Sequence, residues 1–155
     1  MKYHTKEWYA KCQKANTPPF DTKLELETKE TINQYLIEYS KNFPVEPDFM
    51  NLINKLHDSE VAFIENHGND LIIKVECIEY GSIYSAEIVL KNANIIEHEH
   101  GNNLGWEHCE LFPKEKGYEI HCLFFQYGTS NLFLLTAECD NIEIQNKEYY
   151  EQATQ

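Results

Sequence analysis

The amino-acid sequence predicts an α+β fold, in which two or three N-terminal helices pack on one face of a six- or seven-stranded, mainly antiparallel meander sheet. Apolar residues recur at helical spacing as far as about residue 58, and at alternating positions after it. Turn-forming residues then follow about every eight to twelve positions, as in antiparallel sheets. We therefore expect a single domain over 1–155, with a helical region 1–58, a β region 59–145 and a polar tail 146–155.

The length and composition fit one domain with its own core. The chain has 155 residues, of which 42% are hydrophobic and 13% aromatic. This is enough apolar surface to offset the conformational entropy that is lost on folding. Global disorder is therefore excluded.

Three helices are expected in the first region. Thr5 is placed to cap the first helix, which ends before Pro18. Thr28 is expected to cap the second helix, and Asp48 to open a third that continues to about His57. The second helix is amphipathic, because its apolar residues recur at i, i+3, i+4, i+7 and i+11. These residues are Ile32, Tyr35, Leu36, Tyr39 and Phe43.

Seven alternating segments are expected to form strands. They are Val61–Glu65, Leu71–Ile78, Ile83–Lys91, Asn94–His98, Trp106–Leu111, Tyr118–Phe125 and Leu132–Cys139, the last extended to Ile144 if the alternation continues. The connections are too short for crossover helices, so neighbouring strands should pair antiparallel. The helices should cover one of two apolar sets, which are Leu71, Ile73, Val75 and Cys77, or Tyr118, Ile120, Cys122 and Phe124.

Charge limits the partners of the chain. There are 26 acidic residues against 13 Lys and no Arg, which gives a formal net charge of −13. This charge repels nucleic-acid phosphates and anionic membranes, so neither is expected as a partner. It favours a basic protein partner or cations, besides its plain role in keeping the protein soluble.

The cysteines and the N-terminus indicate a cytoplasmic protein. The five Cys form an odd number without C-x-x-C spacing, so no disulfide framework is expected. Residues 1–9 are polar and charged rather than the apolar core of a signal peptide. No stretch approaches the roughly 18 consecutive apolar residues of a membrane span.

Several segments carry a family resemblance. They are Met1–Tyr9, Leu56–Ser59, Lys91–Ile95, Trp106, Gly117–His121 and Thr136–Ile144. In these segments the chain resembles domain-of-unknown-function family 4085, a bacterial family without an established activity. The resemblance implies an architecture and no mechanism. The chain departs from the family pattern at His4, where an aromatic residue is usual, and at Gly105-Trp106, which replaces a pair of Trp residues.

A run of histidines and carboxylates is the densest group of potential metal ligands. It comprises Glu97–His100 and 106–110. On a strand, His98 and His100 point to the same face, and this spacing suits zinc or another divalent metal. His108 joins them if it lies directly opposite His98 in a hairpin, whereas a slip of one residue turns it away.

Two further observations bear on this metal hypothesis. His121, on a later strand, could supply an additional ligand. In the alternative interpretation these side chains simply occupy an exposed hairpin tip, since neither an H-E-x-x-H motif nor paired Cys accompanies them.

The sequence contains no specific catalytic motif. Leu56–Ser59 places His, Asp and Ser side by side, but a catalytic triad is assembled by the fold from distant positions. A helix stop, with Asp58 or Ser59 satisfying backbone groups, is the expected role. The sequence favours a small acidic binding or interaction protein without catalytic activity. The alternative is a metal-binding protein or metal-dependent enzyme that uses His98, His100 and His108.

Overall fold

A helical region precedes a single antiparallel sheet. The computed structural model describes residues 1–79 and 82–151, and the side chains of residues 77–79, 82–84 and 149–151 are outside this description. Within these ranges the helices are α1 (Lys6–Ala15), α2 (Thr22–Asn42) and α3 (Met50–Ile53). The strands are β1 (Glu60–His67), β2 (Asp70–Glu79), β3 (Ser82–Lys91), β4 (Asn94–His98), β5 (Leu104–Pro113), β6 (Tyr118–Gln126), β7 (Leu132–Cys139) and β8 (Asn141–Glu151). The predicted α+β class is confirmed, with eight strands instead of six or seven.

Side-chain caps set the starts of the two long helices. The Thr5 hydroxyl accepts a hydrogen bond from the backbone N–H three residues on, at 3.1 Å, as predicted. α2 begins earlier than predicted, because Asp21 caps it in the same way at 3.0 Å. Thr28 lies inside the helix, where it is buried. The residues between the two candidate caps, Lys23–Glu27, are good helix formers, so the helix extends back to the earlier one.

α3 is shorter than the helix predicted from Asp48 to about His57. Beyond Ile53 the chain continues in tight turns, with Lys55 N donating to Leu52 O at 2.8 Å and Leu56 N to Ile53 O at 3.2 Å. These bonds have the 3₁₀ spacing that often ends a helix. None of the helices within the described ranges is long and apolar enough to cross a lipid bilayer.

The sheet consists of two strand runs that meet at a short junction. Its strand order is β4-β7-β6-β5-β1-β2-β3-β8, and the paired strands are antiparallel. β1 to β3 form one run and β5 to β7 the other. The runs meet where β1 pairs with β5, at Glu60↔Gly105 and Val61↔Leu104. Because the two strands are antiparallel and pair at their first residues, the rest of β5 continues past the start of β1.

The C-terminal tail is more ordered than the sequence suggests. The last predicted strand was expected to continue to Ile144, but β7 ends at Cys139 and a separate strand, β8, begins at Asn141. β8 pairs with β3, at the opposite end of the sheet from β7. The segment from 146, predicted to be a polar tail after the β region, continues this strand as far as Glu151. It satisfies the backbone groups of the β3 edge, which propensity alone does not reveal. Residues 152–155 lie outside the described part of the chain.

The core lies between the sheet and the helical region. Ile73 and Val75 of β2 and Ile120 and Cys122 of β6 have no exposed surface, and they belong to the same cluster as Ile53 of α3. The described members of the two predicted sets are buried, except Tyr118, which is partly buried at the edge of the core. The side chain of Cys77, predicted in the first set, lies outside the described part.

Leu56 offers a test of this packing. Leu56→Ala should lower the free energy of unfolding by about 2–5 kcal/mol, because the side chain is fully buried in the core and its loss leaves a cavity. Leu26→Ala is the matched control, since Leu26 is 65% exposed on α2, and it should change stability by about 0.5 kcal/mol or less. Urea denaturation measures both, and equal effects would contradict the fold.

Candidate metal centre

A β-bulge lies at Glu107 in β5. Trp106 pairs with Phe124 and His108 pairs with Leu123, so Glu107 has no opposite residue on β6. Neighbouring residues on a regular strand face opposite sides of the sheet, and a bulge re-aims one of them. Glu107 Oε1 consequently lies 3.5 Å from Nε2 of His108.

The turn after α3 brings His57 to the same place. Asp58 N donates to Trp106 O at 2.8 Å, and Asp58 O accepts a hydrogen bond from the Tyr127 hydroxyl at 2.9 Å. Asp58 is held between these bonds in the left-handed region, with φ 65°. Such a conformation is uncommon for a residue other than glycine and costs free energy. The left-handed turn at Asp58 places His57 Nε2 3.3 Å from Glu107 Oε1.

The three donor atoms of His57, Glu107 and His108 have the spacing of metal ligands. They all lie within 4.8 Å of one another. Two ligand atoms that each bind a tetrahedral zinc ion at about 2.1 Å are about 3.4 Å apart. The separations of 3.3 and 3.5 Å from Glu107 Oε1 to the two imidazoles agree with this value. Two imidazoles and a carboxylate can therefore hold an ion here with small side-chain movements.

Asp58 also contacts His57 through its side chain. Its Oδ2 lies 3.0 Å from Nδ1 of His57. A carboxylate that accepts the N–H of one ring nitrogen fixes the tautomer and leaves the other nitrogen as the metal ligand. The Asp58 carboxylate thus favours the tautomer in which His57 Nε2 presents its lone pair to the site.

Burial adjusts the charge of the site. Burial, with smaller effects from His4 and His57, lowers the pKa of His108 to about 3. The imidazole is therefore neutral at pH 7, which is the form that binds a metal. Burial raises the pKa of Glu107, while the neighbouring His57 opposes that rise. A carboxylate in this position benefits from a cation beside it.

The N-terminal segment packs behind His108. The His4 ring stacks on His108 with centroids 4.9 Å apart, and Trp8 contacts His108 edge-on at 5.0 Å. His4 in turn contacts Glu110, with Nδ1 3.2 Å from Oε1. These contacts hold the His108 ring in place at the site.

Glu110 holds this segment in place. Its buried carboxylate accepts backbone hydrogen bonds from Lys2 at 2.7 Å, from Tyr3 at 2.8 Å and from His4. Burial alone would raise the pKa of Glu110, but the bonds from His4, Lys2 and Tyr3 lower it to about 2. Glu110 is therefore a charged anchor rather than a proton-exchanging group at neutral pH.

A pocket of about 310 Å³ opens beside the three donor atoms. Its walls are α2, the segment that includes Ile53 and His57, and β5 from Trp106 to Cys109. The His57 side chain is 54% exposed and that of Glu107 is 8% exposed. The site is thus accessible from solvent on the His57 side and enclosed behind the carboxylate.

The predicted ligand set of His98, His100 and His108 is not assembled. β4 pairs with β7, which places His98 opposite Leu135, and β5 pairs with β6. His98 and His108 therefore do not lie opposite each other in a hairpin, which was the condition for His108 to join the set. His98 and His100 remain adjacent, with ring centroids 4.2 Å apart, and line a different pocket. A loop length alone could not show that β4 would cross to the edge of the sheet.

The remaining sequence candidates have other partners. His121, the suggested additional ligand, lies opposite Glu110 on β6, and its Nε2 is 2.6 Å from Glu119 Oε1. Ser59 Oγ is buried without a hydrogen-bond partner, so it does not join His57 as a nucleophile. The expected helix stop uses backbone groups, since Ser59 N donates to Leu56 O at 2.8 Å.

Sequence reasoning found one ligand of the three. His108 was a candidate ligand, and Glu107 lay within the ligand-rich run 106–110. His57 was considered only beside Asp58 and Ser59, as part of a catalytic triad or a helix stop. One feature of the sequence is compatible with the position of His57. Asp58 follows it, and Asp is a residue type that tolerates the left-handed backbone conformation of such a turn. The bulge at Glu107 has no comparable signal.

Comparisons with known proteins add no relative. No family model, curated protein or solved structure matches the chain. The resemblance to domain-of-unknown-function family 4085 stays a prediction.

The Glu110 anchor predicts an acid-dependent loss of stability. The pKa of Glu110 is lowered from 4.5 to about 2 by folding, so its contribution is complete above about pH 4.5 and disappears as the pH falls to about 2. Glu110→Gln should destabilise the protein by roughly 3 kcal/mol at pH 7, because an amide N–H would face backbone donors.

The pH dependence separates this interaction from general acid denaturation. Urea denaturation at pH 7 and pH 3 measures the free energy of unfolding of the wild type and of Glu110→Gln. The difference between the two proteins should be smaller at pH 3 than at pH 7. Glu115→Gln, a change at an exposed residue, should follow the wild type at both values. A difference of constant size would contradict the proposed charge of Glu110.

Proposed function

We propose that the chain is a divalent transition-metal-binding protein whose ligands are His57, Glu107 and His108. One observation carries the proposal: donor atoms from the turn after α3 and from the β5 bulge converge within 4.8 Å. Imidazole nitrogen suits zinc and its neighbours, whereas calcium and magnesium prefer sites made of oxygen. Zinc is therefore the first ion to test.

The number of protein ligands supports an open site. Structural zinc sites are usually closed by four protein ligands, whereas sites that act on other molecules have three and an exchangeable fourth position. Among the described residues, three converge, and the pocket opens on the same side. The proposal therefore includes a fourth coordination position that is filled by water or by a ligand from solution.

Zinc binding should depend on the structural ligand set. Titration calorimetry at pH 7 should give one zinc ion per wild-type chain, and His57→Ala and Glu107→Gln should each weaken binding by about 100-fold or more. His57 is exposed and the Glu107 pKa is raised by burial, so neither change should unfold the protein. Circular dichroism checks this.

Two further sets of variants sharpen the test. His98→Ala and His100→Ala remove the ligands predicted from the sequence, and they should leave zinc affinity unchanged. Asp58→Asn should weaken binding by about 10- to 100-fold, because it removes a carboxylate from His57 while Asn still accepts the left-handed backbone. Loss of binding in the His98 variant instead would overturn the assignment.

A basic protein partner is the second candidate function. The observation in its favour is the net charge of −13, which accelerates and selects association with a positively charged surface. Binding of a basic partner would not involve the metal site, so the two functions can be tested separately.

Salt dependence tests this second candidate. Tagged protein should retain a basic protein from a lysate of the source cells at 50 mM NaCl and release it at 500 mM, because the attraction is screened. Glu107→Gln should retain the same protein, since a single buried carboxylate contributes little to the surface charge. Retention that does not respond to salt, or no retained protein, would contradict it.

A further inference from the structure

We infer that the pocket beside the candidate metal centre binds a small monocarboxylate with a short apolar chain, whose carboxylate takes the fourth position on the metal. This inference rests on the proposed metal site. It goes further by assigning the chemical class of the ligand. Three properties of the pocket lead to it: the apolar residues in its lining, its charge and its size.

Part of the pocket lining is apolar. α2 contributes Ile32 and Leu36, and the chain at the end of α3 contributes Ile53. Leu36 is 50% exposed at this pocket although it is a large apolar residue. A ligand chain lying against Leu36 would remove part of that surface from water, which is favourable.

The charge of the loaded site selects a single negative charge. A divalent ion with its three ligands, two neutral imidazoles and the Glu107 carboxylate, carries one net positive charge, which the exposed Asp58 carboxylate beside His57 reduces further. None of the described residues that line the pocket is a lysine, and His4 Nδ1 already contacts Glu110. One carboxylate is therefore neutralised by the metal, whereas a second would have no cationic partner.

The size of the pocket limits the length of the chain. Its volume of about 310 Å³ is at the lower end of the range of about 300–1,000 Å³ that is typical of ligand pockets. A compact ligand fits such a space, whereas most of a long lipid chain would extend from it into solvent. Hexanoate is a suitable probe, with acetate and butyrate as shorter members of the series.

Cobalt-loaded protein allows the inference to be measured. Co²⁺ at the site should give visible absorption bands that change when a carboxylate displaces the bound water. Full burial of one methylene strengthens binding by about fourfold. Because the pocket is half open, we expect hexanoate to bind about 10- to 50-fold more tightly than acetate, and succinate to bind no more tightly than acetate.

Two neighbouring residues of α2 provide a matched pair of variants. Leu36→Asn should reduce the preference for hexanoate to about threefold or less without changing Co²⁺ affinity. Ile37→Asn should keep the preference, because Ile37 is similarly exposed, at 56%, but does not line the pocket.

The outcomes separate the inference from the proposed function. Failure of the wild-type protein to bind Co²⁺ would contradict the metal site itself and the ligand class with it. Normal Co²⁺ binding with equal affinity for acetate and hexanoate, or with tighter binding of succinate, would overturn the ligand class alone. An equal loss of preference in both asparagine variants would also overturn it.

Discussion

The candidate site depends on the backbone hydrogen bonds at Trp106. Trp106 accepts from Asp58 N and donates to Ser59 O, each at 2.8 Å, at the point where β5 leaves β1. These bonds join the helical region to the sheet. They also fix Asp58 in its left-handed conformation, and so direct His57 towards β5. Core packing of Ile53 and Leu56 holds the end of α3 against the sheet, and these bonds add a direct link from the His57 turn to β5 beside the bulge.

Two neighbouring groups beside the site differ in charge. Hydrogen bonds keep Glu110 charged, and burial keeps His108 neutral. Glu110 and His108 both lie near the N-terminal segment, yet folding lowers both pKa values by different means. Glu110 stays charged because three backbone N–H groups point at it. His108 stays neutral because it is enclosed by rings, including those of His4 and Trp8. An anchored carboxylate and a neutral imidazole can thus occupy neighbouring positions on one strand.

The acidic surface and the pocket have different roles in the two functions considered. The net charge of −13 acts over the whole molecule, and it is the ground for the proposed basic partner. The pocket combines an enclosed carboxylate with an apolar wall at Ile32 and Leu36. A metal ion would convert this concave, acidic region into one that accepts an anion.

The sequence by itself determined the α+β class, the Thr5 cap and the buried faces of β2 and β6, because these follow from local propensity and from the period of apolar residues. Tertiary structure decided the rest. The sequence could not show that β4 would pair with β7 or that β8 would extend the sheet to Glu151, since strand partners are chosen by long-range packing. The site was predictable only at His108. His57 and Glu107 join it through a left-handed Asp58, which is hydrogen-bonded to a segment about 50 residues away, and through a bulge in the pairing of β5 with β6.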